Sequence, residues 1–354
     1  MHARWGGGVI IVLMSSAIQS PPIAPPSARI LRLAARYQIS RALHMVTQMG
    51  IPDLLKDGPK SIEELAFATE SHPDALFRVL RALTSLGIFD EVELRTFALT
   101  PLSKTLRSDV PGSVRAMVLF LGDDTHWDAY KDMRHSVRSG LPALDRVLGQ
   151  PHFQHLHENP EDAQLFHEAM AAFSDSVGPA IAKAYDFSKF QTIVDVGGGN
   201  GTLLAAILNK HSGPRGIVFD LPHAIEHARV GDVLPAGRSE VVAGDFFESI
   251  PAGAGAYVFK YIMHDWQDDK ACAILRVCRR AMSSSGKLLL VEMVVPPNGT
   301  PDFSKFLDLE MLVVAGGRER TEDEFRQLLG NAGFRLDRVV PTHSQCSIIE
   351  GSPV

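Results

Sequence analysis

The stretch "TIVDVGGGNGTLL", residues 192–204, decides how the second half of this chain reads. An apolar run ends at Asp195 and Val196, gives way to Gly197, Gly198, Gly199, Asn200 and Gly201, and resumes from Thr202 as an apolar helix pattern. Strand, side-chain-free turn and helix in that order let the backbone bend sharply and let a ligand approach the main chain closely. The spacing departs from the dinucleotide-binding pattern G-x-G-x-x-G/A. Its last small residue would fall at Thr202, and the third glycine stands one place early, at Gly201.

Outward from this loop, strand-like runs alternate with helical segments: "QTIVDV", "GIVFDL", "EVVAG", "AYVFKYI" and "KLLLVEMVV". The alternation predicts an α/β domain, a parallel sheet covered by helices on both faces. "RLDRVVPT" and "QCSIIEG" then close the chain as two strands around a polar turn. Asp220 ends the second run, close to the spacing at which a carboxylate accepts ribose hydroxyl bonds. In "AGDFF", Asp245 and Phe246 end the third run, a carboxylate for an adenine amine and a ring to cover its face. The plainer alternative is a structural glycine turn with helix-capping acids.

The first half reads differently. Apolar residues recur at helical spacing from Ile30 to Leu55, as at Leu33, Tyr37, Leu43 and Val46. Ser61 and Glu64 form a capping box, and Pro73 opens a helix that Gly87 ends. "IFDEVELRTFALT" then reads as two short strands around a polar turn, completing the outline of a winged helix. Such a module either binds DNA or pairs subunits. Between Arg29 and Arg107 stand eleven Lys/Arg and nine Asp/Glu, a surplus too small for a phosphate backbone, so pairing is favoured.

Composition bounds the rest. Over 354 residues, 45% apolar and 21% charged content is that of a soluble globular protein, and a net charge of -6 offers nothing to nucleic acid or anionic lipid. Cys272, Cys278 and Cys346 are odd in number and lack metal-ligand spacing, which favours a reducing compartment and a cytoplasmic protein. Residues 1–27 have two readings: "MHARWGGGVIIVLMSSAIQS" has the outline of a secretory signal, whereas a start at Met14 leaves a Ser/Pro-rich tail expected to be disordered.

Six motifs, "DVGGGNG", "FDLPH", "GDFF", "FKYIMHDW", "LLLVEMVV" and "GGRERTEDEF", follow one another in order. By them the sequence resembles the S-adenosylmethionine-dependent O-methyltransferases of the plant caffeic-acid type and their bacterial relatives, enzymes that act on acetylserotonin, phenazines and polyketides. The resemblance implies a Rossmann-like class I methyltransferase domain over residues 186–354. It implies an N-terminal winged-helix dimerisation domain over 28–110, hence a homodimer, and a helical connector over 111–185 that contributes to the substrate pocket. Asp195, Gly197, Gly199 and Gly201 would pass beside the methionine part of S-adenosylmethionine. Asp220 would bind ribose, Asp245 with Phe246 adenine, and Leu221 and Lys260 would lie against the cofactor. The cofactor carries no phosphate, and the helix amino end can bond its methionine carboxylate instead.

The resemblance also marks His264 as the catalytic base, and the chemistry supports that choice. A phenol of pKa about 10 is mostly protonated at neutral pH. An imidazole can take that proton as the oxygen attacks a methyl group, an effect typically worth about 100- to 10,000-fold. Glu292 and Glu319 stand where the family has carboxylates flanking this histidine, so one or both are expected to hold its tautomer. Asp265 is read as a turn cap, and Asp268 and Asp269 as a helix amino end. No metal is expected here. "PHFQHLHENP" gathers His152, His155 and His157 without zinc spacing and reads as a solvated loop.

Trp127, Phe166, Met170, Phe173, Met263, Met311 and Leu312 are candidate walls for a small aromatic or polyketide-like hydroxyl acceptor, the methionines on the strength of the resemblance. The plant enzymes carry an Asn-Pro pair before the paired glycines where this chain has Val314 and Ala315, which points to an acceptor less polar than a lignin precursor. Two rivals remain. A same-fold enzyme diverted to hydroxylation or decarboxylation is disfavoured by retention of His264, Glu292 and Glu319. A winged-helix DNA-binding regulator with a ligand-sensing domain is disfavoured by the local charge.

Overall fold

The computed structural model describes residues 25–175, 177–227 and 233–354, with the backbone alone at 173–175, 223, 226 and 227. The signal or tail expected at the amino end lies outside the described residues up to position 24. From there the chain is helical sooner than expected, because Pro26 occupies the first turn of helix Pro26–Ala34, where its fixed φ fits and its missing N–H is not needed.

The helical stretch read from Ile30 to Leu55 breaks into Pro26–Ala34, Tyr37–Gln48 and Ile51–Leu54. Gly50, at φ +69°, turns the chain at the second break. Strand β1 (Lys60–Ser61) pairs antiparallel with β3 (Thr96–Leu99), which pairs with β2 (Phe89–Glu93). Between them, the expected capping box is present on helix Ile62–Ala68. Val46, Ile51, Leu65, Leu80, Phe89 and Phe97 close a separate small core. Helix Pro26–Ala34 contributes no residue to it: Ile30, Leu31 and Leu33 are each more than half exposed. At nine residues it is shorter than the roughly 12–15 that an isolated helix needs in water, so its stability must come from packing outside this core.

The second half builds one sheet from β4 (Thr192–Val196), β5 (Arg215–Asp220), β6 (Ser239–Ala243), β7 (Ala256–Lys260), β8 (Lys287–Glu292), β9 (Phe334–Pro341) and β10 (Ser347–Pro353). Their order is β6-β5-β4-β7-β8-β10-β9, parallel through β8, with β10 antiparallel to both its neighbours. Alternate residues serve opposite faces. Val194, Val196, Tyr257, Phe259, Leu288 and Leu290 pack in one core, while Ile193, Ala256, Val258, Leu289 and Val291 pack in the other. Strand order reverses at β4, since β5 lies on one side and β7 on the other. Ligands of open α/β sheets bind beyond the carboxyl ends at such a switch point. There the sequence has placed the glycine loop, Asp220 and Lys260.

A run of helices from Arg115 to Ala184 joins the halves. One corrects the sequence reading: "PHFQHLHENP" is no solvated loop, because residues 152–158 form helix His152–Glu158. His152 and Leu156, four apart, make its buried stripe. All three cysteines are free and buried. No described helix is long and apolar enough to cross a membrane.

Candidate active site

Beyond β4 the chain turns at Gly197, whose φ is +67°. A Cβ there would lie 2.5 Å from Ile262 Cδ1 and the left-handed φ strains any side chain, so glycine is favoured. Gly199 and Gly201 are left-handed as well. The loop is tied to β5: the Gly199 N–H donates to Asp220 Oδ2 at 2.8 Å, and the Leu221 N–H to Asp220 Oδ1 at 2.7 Å. Asp245 accepts the Phe247 N–H at 2.8 Å, which leaves the Phe246 ring close to Gly197. Asp195 is buried, and its Oδ2 has no hydrogen-bond partner. Burial pushes its carboxyl up to about 6, against the opposing pull of the Lys260 ammonium. The structure thus brings the expected cofactor residues to one carboxyl edge of the sheet.

His264 sits in a single 3-10 turn, Met263–Asp265, beyond β7. Its Nδ1 donates to Glu319 Oε1 at 2.7 Å. Glu319 is held in turn, since its backbone N–H donates to Asp308 Oδ1 at 2.9 Å. Glu292 does something else. Its Oε1 accepts the backbone N–H of Ile262 and of Met263, at 3.1 and 2.8 Å, and so anchors the turn rather than the ring. The second oxygens of both glutamates are buried without a hydrogen-bond partner. Nε2 of His264 faces Asp265 Oδ1 at 3.4 Å, so Asp265 borders the imidazole instead of capping the turn as the sequence suggested.

The electrostatic consequence is one-sided. Burial opposes the imidazolium, but Asp265, Glu319 and Glu292 together outweigh it and push His264 up to about 10. Burial likewise pushes Glu292 up to about 7, against the favourable pull of His264.

Two further features lock this turn. Gly317 passes so close beneath it that a Cβ would overlap the His264 carbonyl, which accepts the Arg318 N–H at 2.8 Å. Arg320, 1% exposed, donates to the carbonyls of Met263 and Trp266 at 2.7 and 2.8 Å and grips Asp268 Oδ1 with two nitrogens. Its backbone bridges Val294, two residues past Glu292. One guanidinium therefore fixes the histidine turn to the segment that carries Glu319.

An arc of rings runs from the glycine loop to the connector. Phe246 contacts Phe247 (centroids 5.1 Å apart), Phe247 meets Trp266 edge-on (5.0 Å), and Trp266 stacks on Phe153 (6.1 Å). Phe153 then meets Phe166 (6.3 Å) and Phe166 meets Phe120 (5.7 Å). Of the expected acceptor walls, Phe166 belongs to this arc, and half-buried Met170 follows it one turn on in helix Pro160–Asp175. Met311 and Leu312 lie in a π turn, Met311–Ala315, directly after helix Ser304–Glu310. Trp127 packs instead under the Arg41 guanidinium at 5.0 Å. Met263 is fully buried in the core cluster beneath the sheet edge. The Phe173 side chain lies outside the described residues.

Sequence reasoning left Trp266, Phe153 and Phe247 without a role, although "HDW" and "DFF" already showed two of them. It also missed a buried polar cluster. His126 lies between Asp123 Oδ1 (3.2 Å) and Glu310 Oε1 (3.1 Å), and the Tyr130 hydroxyl donates to Glu310 Oε2 at 2.6 Å. Burial opposes its charge, but the two acids outweigh burial and push His126 up to about 9. This cluster ties helix Asp124–Lys131 to the helix that bears Asp308.

A family model for the O-methyltransferase domain matches residues 130–335, and one for the O-methyltransferase dimerisation domain matches residues 31–109. The chain belongs to the O-methyltransferase family. This O-methyltransferase is 42% identical over 332 residues to phenazine O-methyltransferase PhzM of Lysobacter antibioticus, covering 93% of this chain and 97% of that one. It is 40% identical over 335 residues to the O-demethylpuromycin-O-methyltransferase of Streptomyces alboniger, covering 92% and 89%. Its fold matches an O-methyltransferase from neocarzinostatin biosynthesis, solved with S-adenosyl-L-homocysteine and 1,4-dihydroxy-2-naphthoic acid. That match has a TM-score of 0.77 and 32% identity, over 92% of this chain and 98% of the other.

Proposed function

We propose that this O-methyltransferase methylates a hydroxyl of a small aromatic acceptor, with His264 as general base oriented by Glu319. The observation that carries the reading is the 2.7 Å contact between His264 Nδ1 and Glu319 Oε1, which leaves Nε2, bordered by Asp265 Oδ1 at 3.4 Å, as the nitrogen to take the proton. The family's methyl donor is S-adenosylmethionine, and the carboxyl edge suits it. The left-handed Gly197 lies close against Ile262, space opens beside Gly199, and the buried Asp195 Oδ2 lacks a hydrogen-bond partner. The loop from Gly197 to Gly201 and the helix amino end at Thr202 would hold the methionine part, Asp220 the ribose, and Asp245 with Phe246 the adenine. When bound, the donor supplies an electrophilic methyl group on a positively charged sulfur.

The chain's own part is to place the acceptor and move one proton. A phenol titrates at about 10, and an imidazolium pushed up to about 10 is matched to it, so proton transfer to Nε2 is close to balanced. The same carboxylates keep most of the imidazole charged at neutral pH, so the basic fraction grows as pH rises. The arc from Phe247 to Phe166 supplies flat apolar contact for an aromatic acceptor. The naphthoic acid bound by the neocarzinostatin-pathway neighbour is of that kind.

The exposed apolar residues of helix Pro26–Ala34, within or beside the dimerisation-domain match, support a homodimer in which a second copy covers them. Incubation with isotopically labelled methyl donor and a panel of phenols, phenazines and polyketides tests the activity. Label on an acceptor hydroxyl is the expected result, and label on no hydroxyl would count against the reading.

A further inference from the structure

One buried ring on the connector has no place in the chemistry above. His152 opens helix His152–Glu158 and is 8% exposed. Its imidazole lies nearly parallel to Phe153 (centroids 5.6 Å, 20°) and meets Phe166 edge-on (5.5 Å, 83°). Phe153 stacks on Trp266, two residues beyond His264. The backbone N–H of His152 donates to Asp145 at 2.9 Å, whereas its ring nitrogens take part in none of the hydrogen bonds among the described residues and are not among the wholly buried unpartnered atoms, so the polar edge of the ring remains accessible. A polar edge that a ligand can reach and that no protein group pairs favours a ligand able to pair it over one that only covers it.

We propose that His152 determines acceptor specificity by hydrogen-bonding a second polar substituent of the aromatic acceptor, distinct from the hydroxyl that is methylated. This rests on the reading of the cleft as a site for aromatic hydroxyl methylation. The arc of rings grips any flat molecule, so it cannot by itself distinguish one arene from another. His152 is the polar group set into that arc, between Phe153 and Phe166. Burial, followed by the charges of His126 and His155, pushes its imidazole down to about 4, against the pull of Asp123 and Glu310. The ring is therefore neutral and offers one donor and one acceptor, which suits a hydroxyl, a carbonyl or a carboxylate. The acceptor class this defines is a polycyclic or substituted phenol with at least two polar groups.

The test uses the full chain loaded with S-adenosylhomocysteine and titrated by calorimetry with 1,4-dihydroxy-2-naphthoic acid and with 1-naphthol. Wild type should prefer the dihydroxy acid by on the order of tenfold or more. His152→Phe should bring the two affinities within about twofold of each other, whereas His152→Asn, which keeps a donor and an acceptor, should retain most of the preference. An unchanged preference in His152→Phe, an equal loss for both ligands, or no binding of either by wild type would overturn the proposal. Methyl transfer is read separately with the methyl donor in place. Absence of transfer to either compound with the binding preference intact would count against the methylation reading and leave the role of His152 standing.

Discussion

Glu319 holds the imidazole of His264 at 2.7 Å while its own backbone rests on Asp308, whereas Glu292, equally buried, spends its bonded oxygen on the backbone beneath. The two flanking acids therefore have different work. One sets the tautomer and charge of the imidazole, and the other sets the position of the turn.

Glu319→Gln separates charge from contact. The amide oxygen still accepts from Nδ1–H, but the carboxylate charge that helps raise His264 is gone, so the imidazole pKa falls. The rising limb of kcat against pH should move to lower pH, and its plateau should drop by at least about tenfold because the imidazolium is less stabilised. Stability carries the same sign. With its folded pKa raised from 6.5 to about 10, His264 contributes stability that is fully present below 6.5 and lost as pH rises through 10. Urea unfolding should show a smaller loss over that window in Glu319→Gln than in wild type.

Asp220→Ala removes the acceptor of the Gly199 and Leu221 N–H groups as well as the expected ribose ligand. Calorimetry with S-adenosylhomocysteine should show at least about tenfold weaker binding. Acceptor affinity, measured on the same variant, should change much less. Equal losses would place Asp220 outside the cofactor half of the cleft.

Arg320→Met leaves the Met263 and Trp266 carbonyls without their donor and releases Asp268, whose side chain is exposed. Unfolding free energy should fall by about 1 to 3 kcal/mol. In the protein that remains folded, kcat should fall more than KM for S-adenosylmethionine rises, because the turn that loosens carries His264, the proposed base, and none of the residues proposed to hold the donor. Arg320→Lys, which keeps charge but not the fork, should recover only part of kcat.

Ile30→Asp with Leu33→Asp places two charges on the uncovered face of helix Pro26–Ala34. Light scattering should report a dimer for wild type and a monomer, or a dimer weakened by at least about tenfold, for the variant. A dimer of undiminished affinity would show that another surface joins the subunits.

The sheet was legible because each inner strand is a short apolar run, and both of its faces are covered by helices. The carboxyl-edge residues followed, since Asp220, Lys260 and Glu292 end strands and so share an edge. The turn that carries Met263 and His264 was not legible: a 3-10 turn advances about 120° per residue, so Met263 enters the core while the neighbouring His264 ring reaches Glu319. Helix His152–Glu158 was missed because its buried stripe is only two residues long, too short for periodicity to register. The division of labour between Glu292 and Glu319, and the grip of Arg320 on carbonyls more than fifty positions away, exist only once the turn and the sheet edge meet. No local pattern encodes them.

The central claim is that His264 takes the acceptor's proton, and single-turnover methyl transfer by His264→Ala tests it most directly. S-adenosylhomocysteine affinity, measured alongside by calorimetry, should stay near that of wild type while the transfer rate falls at least about 100-fold. A variant that binds the cofactor normally and transfers methyl at the wild-type rate would contradict the claim.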